Sequence, residues 1–457
     1  MRTPDPTARR AAALFAVAWL AFFGVLQWSV VRFRVPIVVV LTAAAVVLAL
    51  WQWLGWRVRL TRPAVTGALA GSALATLAVP LFSYLAPRGL AVATTLLVVG
   101  PLTCAVLLWS KGIRAAWLGG GVALVAYAAA AATAVVSDPR PRIDVWVTLQ
   151  QASDALLRGE NFYAMSWSGS PGIQDAFTYL PWTAVLLAPG RWLFGDVRWA
   201  LLLWMLVAVG GVWQLVRTRG RERRSEVWLG AAVTALVLLA PGTLTQVDQA
   251  WTEPLLLAGL VWWAVLVHRG HAWWAVLPLA LACASKQHLA LLLPVLLVWR
   301  AFGWRRAVAT GALTGALIAP WFLASPADFV HDTVSLLVSF HAIRFANTLY
   351  LLALNTFGVT LPFWVTGAVV LGALLAIGVT VWRRQPRLAE LLRWLALLLL
   401  VANLVNKQAF YNQFWLSGAL VVLSFAVAGP DRSSAPDTSR ESLTGAPTAA
   451  GRRASST

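Results

Sequence analysis

Apolar runs follow one another along most of the chain, separated by short connections that carry arginine. A helix needs about 20 apolar residues to cross the hydrocarbon core of a bilayer. Runs that meet or approach this length predict spans at 11–31, 36–55, 64–86, 89–109, 115–136 and 197–216, and again at 226–241, 254–267, 307–324, 362–382, 388–405 and 410–428. Two stretches are less simple. Segment 179–194 is short and punctuated by Pro181 and Pro189; segment 272–299 is long and holds Lys286, Gln287 and His288 near its middle. In one scheme the first dips into the membrane and returns, and the second is a pair of half-helices with Lys286 pointing outward. In the other, one of the two crosses fully and one arginine cluster lies on the wrong side.

Composition reinforces the pattern. Of 457 residues, 60% are hydrophobic and 12% charged, against about 25% charged in a soluble globular protein. The fold class expected is all-α and polytopic, with about 12–14 membrane segments. The run 11–31 follows Arg9-Arg10 and precedes Arg32 and Arg34 without a small-residue cleavage site, which reads as a retained span. Cys104 and Cys283 stand inside apolar runs and suggest neither a disulfide nor a structural metal site.

The net charge is +19, yet it lies in turns and not on a polar domain, so no nucleic acid is expected. The dense clusters are Arg57/Arg59/Arg62, Lys111/Arg114, Arg217 through Arg224, His268/Arg269, Arg300/Arg305/Arg306 and Arg383/Arg384/Arg387. Placing these in the cytoplasm leaves an external side holding loop 137–178, the stretch Thr243 to Glu253, Lys286, loop 325–347 and the turn Asn406 to Gln413. Five separated polar elements on one face predict a single water-exposed cavity there. The segment 429–457, rich in Ser, Thr, Ala, Pro and Arg, is expected to be a disordered cytoplasmic tail.

Loop 137–178 is the most informative stretch. From Asp144 to Arg158, the apolar residues Val145, Leu149, Ala152, Leu156 and Leu157 predict a helix with one greasy face, lying along the interface and ending at Gly159. Asp144 at its start is either an N-cap or a chemical group. Lys286 and Lys407 each precede a glutamine, Gln287 and Gln408, and both fall on the external side. A lysine within an apolar stretch is a functional-site hypothesis by default, with snorkelling to the interface as the plain alternative. Arg344 is a weaker cation of the same kind. Asp248 and Glu253 flank Trp251 and either bind hydroxyl groups or cap the loop; one of them with Asp144 is also a conceivable metal pair. His288, His331 and His341 lack metal-ligand spacing. Tyr163, Tyr179, Tyr411, Trp182 and Trp415 stand near span ends, where aromatic belts form.

These motifs, in this order, resemble the GT-C glycosyltransferases. They look most like glycosyltransferase family 87, the polyprenyl-phosphate-mannose-dependent α-mannosyltransferases of bacterial envelopes. The resemblance is carried by Asp144 and its helix, by Leu156-Leu157-Arg158-Gly159-Glu160-Asn161-Phe162-Tyr163 and by Phe177-Thr178-Tyr179-Leu180-Pro181. It continues through Leu244 to Gln249, Ala284-Ser285-Lys286-Gln287 and Asn406-Lys407-Gln408. Phe162 and Leu180 stand where the family commonly has a proline. The likeness covers roughly residues 115–428, so the chain divides into N-terminal helices 1–114, a GT-C-like module 115–428 and the tail.

The resemblance implies transfer of a hexose, mannose first, from a polyprenyl-phosphate donor to an envelope glycolipid or lipoglycan at the external face of the cell membrane. Asp144 matches the catalytic position, with Asp138 its rival. On such a reading Lys286 and Lys407, as cations on the external side, would contact the donor phosphate, with Arg344 a weaker candidate, and Gln287, Gln408, Asp248, Glu253, Tyr163 and Tyr179 complete the substrate-binding set. No cofactor is implied, and metal dependence stays open. Arabinofuranosyl transfer is the nearest variant. A transporter or flippase for lipid-linked sugars is the rival from another class, and a noncatalytic assembly protein the third.

Overall fold

The computed structural model describes residues 6–217 and 222–427, and the tail expected from residue 429 lies outside them. Among the described residues there is no strand. Five N-terminal helices come first: α1 (Pro6–Ser29), α2 (Val35–Leu54), α3 (Arg62–Ala78), α4 (Pro87–Trp109) and α5 (Ile113–Ser137). The predicted loop helix α6 (Asp144–Arg158) leads to α7 (Trp182–Phe194), α8 (Arg198–Val216), α9 (Arg223–Leu238), the single turn α10 (Thr245–Asp248) and α11 (Glu253–His268). Then come α12 (Val276–Cys283), α13 (Leu292–Val298), α14 (Trp304–Ala324), the short pieces α15 (Pro326–Val330) and α16 (Leu336–Ser339), and α17 (Leu349–Phe357). The last three are α18 (Phe363–Arg384), α19 (Leu388–Val405) and α20 (Tyr411–Val427).

Eight of these helices are long and apolar enough to cross a bilayer: α1, α2, α4, α5, α8, α14, α18 and α19. The chain is therefore a multi-pass helical membrane protein. Spans expected at 64–86, 226–241, 254–267 and 410–428 are shorter helices of 17, 16, 16 and 17 residues. At 1.5 Å per residue these reach about 24–26 Å, a little less than the hydrocarbon thickness. Irregular backbone replaces their missing turns at one end, and that end is where the polar chemistry lies.

The N-terminal helices are not set apart from the rest. α1 packs on α3 and α20, α2 on α19, and α5 on α9. Most residues of α19 are buried, whereas α14 buries only Ala307 and Thr310 and α18 only Ile377 and Val381, so these two present their apolar sides outward, as lipid-facing helices do.

The helices run between two unlike ends. At one, arginine turns bond to neighbouring turns: Arg62 donates to Leu108 O at 2.6 Å, Trp299 Nε1 to Pro386 O at 2.9 Å, and Arg300 N to Gln385 Oε1 at 2.8 Å. At the other end gather residues 79–86, 138–181, 239–253, 284–287, 331–347 and 406–412. Arg198 joins the start of α8 to Asp138 O, Asn347 bonds Arg32 O, and Gln287 bonds Thr178 O.

The two complex segments serve this second end. α12 and α13 are half-helices broken at Ala284–Lys286, where Lys286 takes an extended conformation (φ −150°, ψ 127°). The chain enters from the arginine end and returns there at Trp299. α7 has 13 residues, about 20 Å, and packs on both α6 and α8. It does not span.

Candidate functional site

The site is built first by the break in α12–α13. With the helix interrupted, Ala284 O and Ser285 O are free to accept, and the end of the loop before α7 takes them: Trp182 N and Leu180 N donate at 3.2 Å each. Gln287 Nε2 donates to Thr178 O at 2.9 Å and Thr333 O at 3.4 Å. Tyr179 is thereby pinned against Lys286, whose ammonium lies 5.5 Å from the ring centroid. Tyr163, buried at 2% exposure, fixes the same point from below by donating its hydroxyl to Tyr179 O at 2.8 Å.

Lys286 is not a free cation. Its Nζ is 2.5 Å from Glu253 Oε1 and 3.3 Å from Thr252 Oγ1, and Glu253 Oε2 accepts from Asn412 Nδ2 at 2.9 Å. Glu253 is fully buried and Lys286 is 7% exposed. Desolvating two charges is expensive, and only their attraction and these added hydrogen bonds offset it. The turn that aims Glu253 inward contains Ala250 at φ +53°, a left-handed conformation that costs a non-glycine residue about 1–2 kcal/mol. Gly242, at φ +77°, opens the same connection, where a Cβ would sit 2.9 Å from the Tyr411 hydroxyl.

The charges of Asp144 and Glu253 both act on the Tyr179 hydroxyl, which burial foremost raises far above the usual phenol range. The helix does start at Asp144, but the N-cap position is Ile143; Asp144 is the first helical residue and its Oδ1 accepts from Val145 N at 2.8 Å. Its Oδ2 is approached so closely by Gly172 that a Cβ there would lie 2.6 Å away. Burial raises the Asp144 carboxyl above its ordinary range, with the Val145 and Ile173 N–H groups pulling it back. Of the predicted greasy face, Leu149 and Ala152 are fully buried, while Leu157 is 70% exposed and lies off it. Side chains clamp the helix: Arg191 to Asp154 at 2.8 Å, Trp146 to Asp196 at 3.1 Å, and Gln150 to Gly195 O at 3.1 Å. Gly159 ends it at φ +71° as expected from its position.

Asp138 caps the neighbouring corner. It is buried, its Oδ2 has no hydrogen-bond partner in the protein, and burial raises its carboxyl despite Arg198. Arg198, fully buried, bonds Asp196 Oδ2 at 2.7 Å and donates to Val135 O at 3.3 Å and Asp138 O at 2.5 Å, which ties the start of α8 to the end of α5. Asp248 accepts from Ser83 Oγ at 3.1 Å and Gln249 Nε2 at 2.6 Å, and burial pushes it up to about 6.

The remaining predicted residues form a rim. Lys407 Nζ donates to Val338 O and Phe340 O at 2.6 Å each, and burial lowers it from its ordinary value. Gln408 Nε2 reaches His341 O at 3.3 Å. Arg344 is exposed, and its carbonyl accepts from Asn355. Asp332 ties this rim to the loop by accepting from Phe177 N at 2.7 Å. Thus Tyr163, Tyr179, Glu253, Lys286 and Gln287 come together, Asp144 is linked to them by its charge acting on Tyr179, Asp248 bonds Ser83, and Lys407, Gln408 and Arg344 stand in a second group.

Sequence reasoning passed over Asn412, Gly172, Asp332, Ser83, Tyr84 and Arg142. Only Arg142, two residues before Asp144, carried a local signal. Among the described residues no group of three or more His, Cys, Asp or Glu side chains is arranged to hold a metal ion. Cys104 and Cys283 are free and buried. No protein-family model matches the chain, and no curated protein matches it.

Proposed function

We propose that this protein is a GT-C-like membrane glycosyltransferase that moves a hexose, mannose first, from a polyprenyl-phosphate carrier to an envelope glycolipid or lipoglycan at the external face. The observation that carries the reading is the junction at Tyr179. The Lys286 ammonium, from a broken membrane segment, lies 5.5 Å from the Tyr179 ring, Tyr163 holds the Tyr179 carbonyl, and the Asp144 carboxylate of α6 acts electrostatically on the same phenol. The arginine turns at the opposite end support the external assignment.

In the reaction, Asp144 takes the proton of the acceptor hydroxyl as its oxygen bonds to the anomeric carbon. The bond from that carbon to the phosphate oxygen breaks, and the phosphate leaves as an anion that needs no protein acid. A carboxylate raised by burial is a better base than one in water. Lys286 serves as a positioned donor within a neutral pair, since Glu253 offsets its charge. Lys407, held by carbonyls alone in its bonding, keeps its positive charge for a phosphate.

Asp144→Asn is expected to lower transfer by about 100-fold or more while the protein stays folded. Measurement is by glycosidic product from a polyprenyl-phosphate sugar with reconstituted protein. Full activity in Asp144→Asn and Asp144→Ala would sink the mechanism. The break at Ala284–Lys286 favours a second reading, a transporter of lipid-linked sugars, because transporters bind at discontinuous helices. Counterflow without a new glycosidic bond supports that one.

A further inference from the structure

Sugar transfer as proposed uses residues 115–428 and leaves helices α1 to α4 without a task. Their α3–α4 connection, however, reaches the site. Val79 O accepts from Gln27 Nε2, so the connection is tied down at its start. Ser83 Oγ then bonds Asp248 Oδ1 at 3.1 Å, and the Arg142 guanidinium lies over the Tyr84 ring, 5.5 Å from its centroid. Leu81, Phe82 and Leu85 line a small cavity with Leu244 and Asp248 beside this contact. The charges of Arg142, Asp144, Asp248 and Asp138 all act on the Tyr84 hydroxyl. Tyr84 is half-buried and Arg142 exposed, so the cluster is open on one side. The buried Asp138 Oδ2 still lacks a partner within the protein.

An isolated buried acceptor is costly unless something donates to it. The half-buried phenol and aromatic face of Tyr84 and the exposed guanidinium of Arg142, backed by the buried carboxylates of Asp248 and Asp138, are together the complement of a polyhydroxylated ring. The hydroxyls pair with the charged groups and the ring C–H face covers the aromatic. We infer that Ser83, Tyr84, Arg142, Asp138 and Asp248 form a subsite for the sugar ring of the acceptor, adjoining Asp144, and that the N-terminal helices thereby select the acceptor. The assignment to an acceptor rests on the glycosyl-transfer reading; hexose binding at Tyr84 does not. A purely structural brace between α10 and the α3–α4 connection predicts no such binding.

The test uses full-length protein in lipid nanodiscs free of sugar detergents, without donor. Methyl α-D-mannopyranoside and methyl α-D-glucopyranoside are titrated by saturation-transfer NMR. Saturable binding of at least one hexoside is expected. It should weaken about tenfold or more in Tyr84→Ala, the scale of one lost charge-assisted hydrogen bond, and less in Tyr84→Phe. Lys111→Gln, at the opposite end, should bind as the unaltered protein does. Should Tyr84→Ala not fold, Tyr84→Phe and Arg142→Gln carry the comparison. Absence of saturable binding, or binding indifferent to these changes, overturns the subsite. Hexoside binding without any transfer activity leaves the subsite standing and removes the transferase reading. Transfer in which the Tyr84 variants keep an unaltered acceptor KM removes the subsite alone.

Discussion

The inner group around Tyr179 and the rim around Lys407 each contain a lysine followed by glutamine, and they solve the burial of that lysine differently. Lys286 sits 2.5 Å from a fully buried carboxylate that Asn412 also holds. Lys407 is half-exposed and donates to two carbonyls from the segment around α16. The inner lysine is half of a neutral unit whose removal leaves a stranded charge. The rim lysine remains a cation and is tethered by neutral dipoles. The same dipeptide therefore yields half of a buried ion pair in one place and a carbonyl-tethered cation in the other.

The sharpest way to break this contrast is to remove one partner of the inner pair. Lys286→Met is expected to destabilise the protein by about 3–5 kcal/mol, because Glu253 is left buried and uncompensated. The double change Lys286→Met with Glu253→Gln should recover much of that, as read by thermal unfolding in detergent. If Lys286→Met costs no more than Lys407→Met, the two regions are alike and the distinction fails.

Gly172→Ala probes the inner group through geometry. A Cβ there would lie 2.6 Å from Asp144 Oδ2, so the carboxylate must turn. We expect a loss of transfer of about tenfold, or about 1.4 kcal/mol of barrier, with little change in unfolding temperature. Unchanged turnover would mean that the orientation of Asp144 is immaterial.

Lys407→Met loses two hydrogen bonds at a half-exposed site, and about 1 kcal/mol of stability is expected to go with them. Its larger signature should be a weaker dependence of donor affinity on salt, since a cation facing an anion is screened.

The smallest effect lies at His331. Its bond to Asp332 (3.0 Å), followed by the charges of Asp332, Asp175 and Asp328, raises the imidazole above 6.5. A raised imidazole contributes stability that is full below its ordinary value and is lost as pH rises through the folded value. Unfolding temperature should therefore slip slightly between about pH 6 and pH 8, and His331→Gln should flatten that slope. An identical slope in the variant would assign it elsewhere.

Much of the framework was legible before folding, for definite reasons. Hydrophobic runs in lipid must satisfy their backbones internally, so spans such as 36–55 and 388–405 read almost directly onto α2 and α19. Asp144 and Gly159 bracket α6 because an acidic first turn and a left-handed glycine are local signals. The break near Lys286 was visible because a charge interrupts an apolar run. Other features left no such trace. Glu253 is 33 positions from Lys286 and Asn412 is 159 from Glu253, so nothing nearby in the chain marks their contact. Tyr84 and Ser83 look like ordinary residues of an interface connection until Arg142 and Asp248 are brought beside them.

Residue order alone dictates where this chain meets lipid and which turns carry positive charge, because both depend on properties that each segment holds by itself. Whether a lysine is neutralised, which carboxylate is buried, and which loop supplies the second wall of the site depend on contacts between segments far apart in sequence. Those contacts exist only once the helices have packed, since a charge acquires its partner and its dielectric surroundings from the fold and not from its neighbours in the chain.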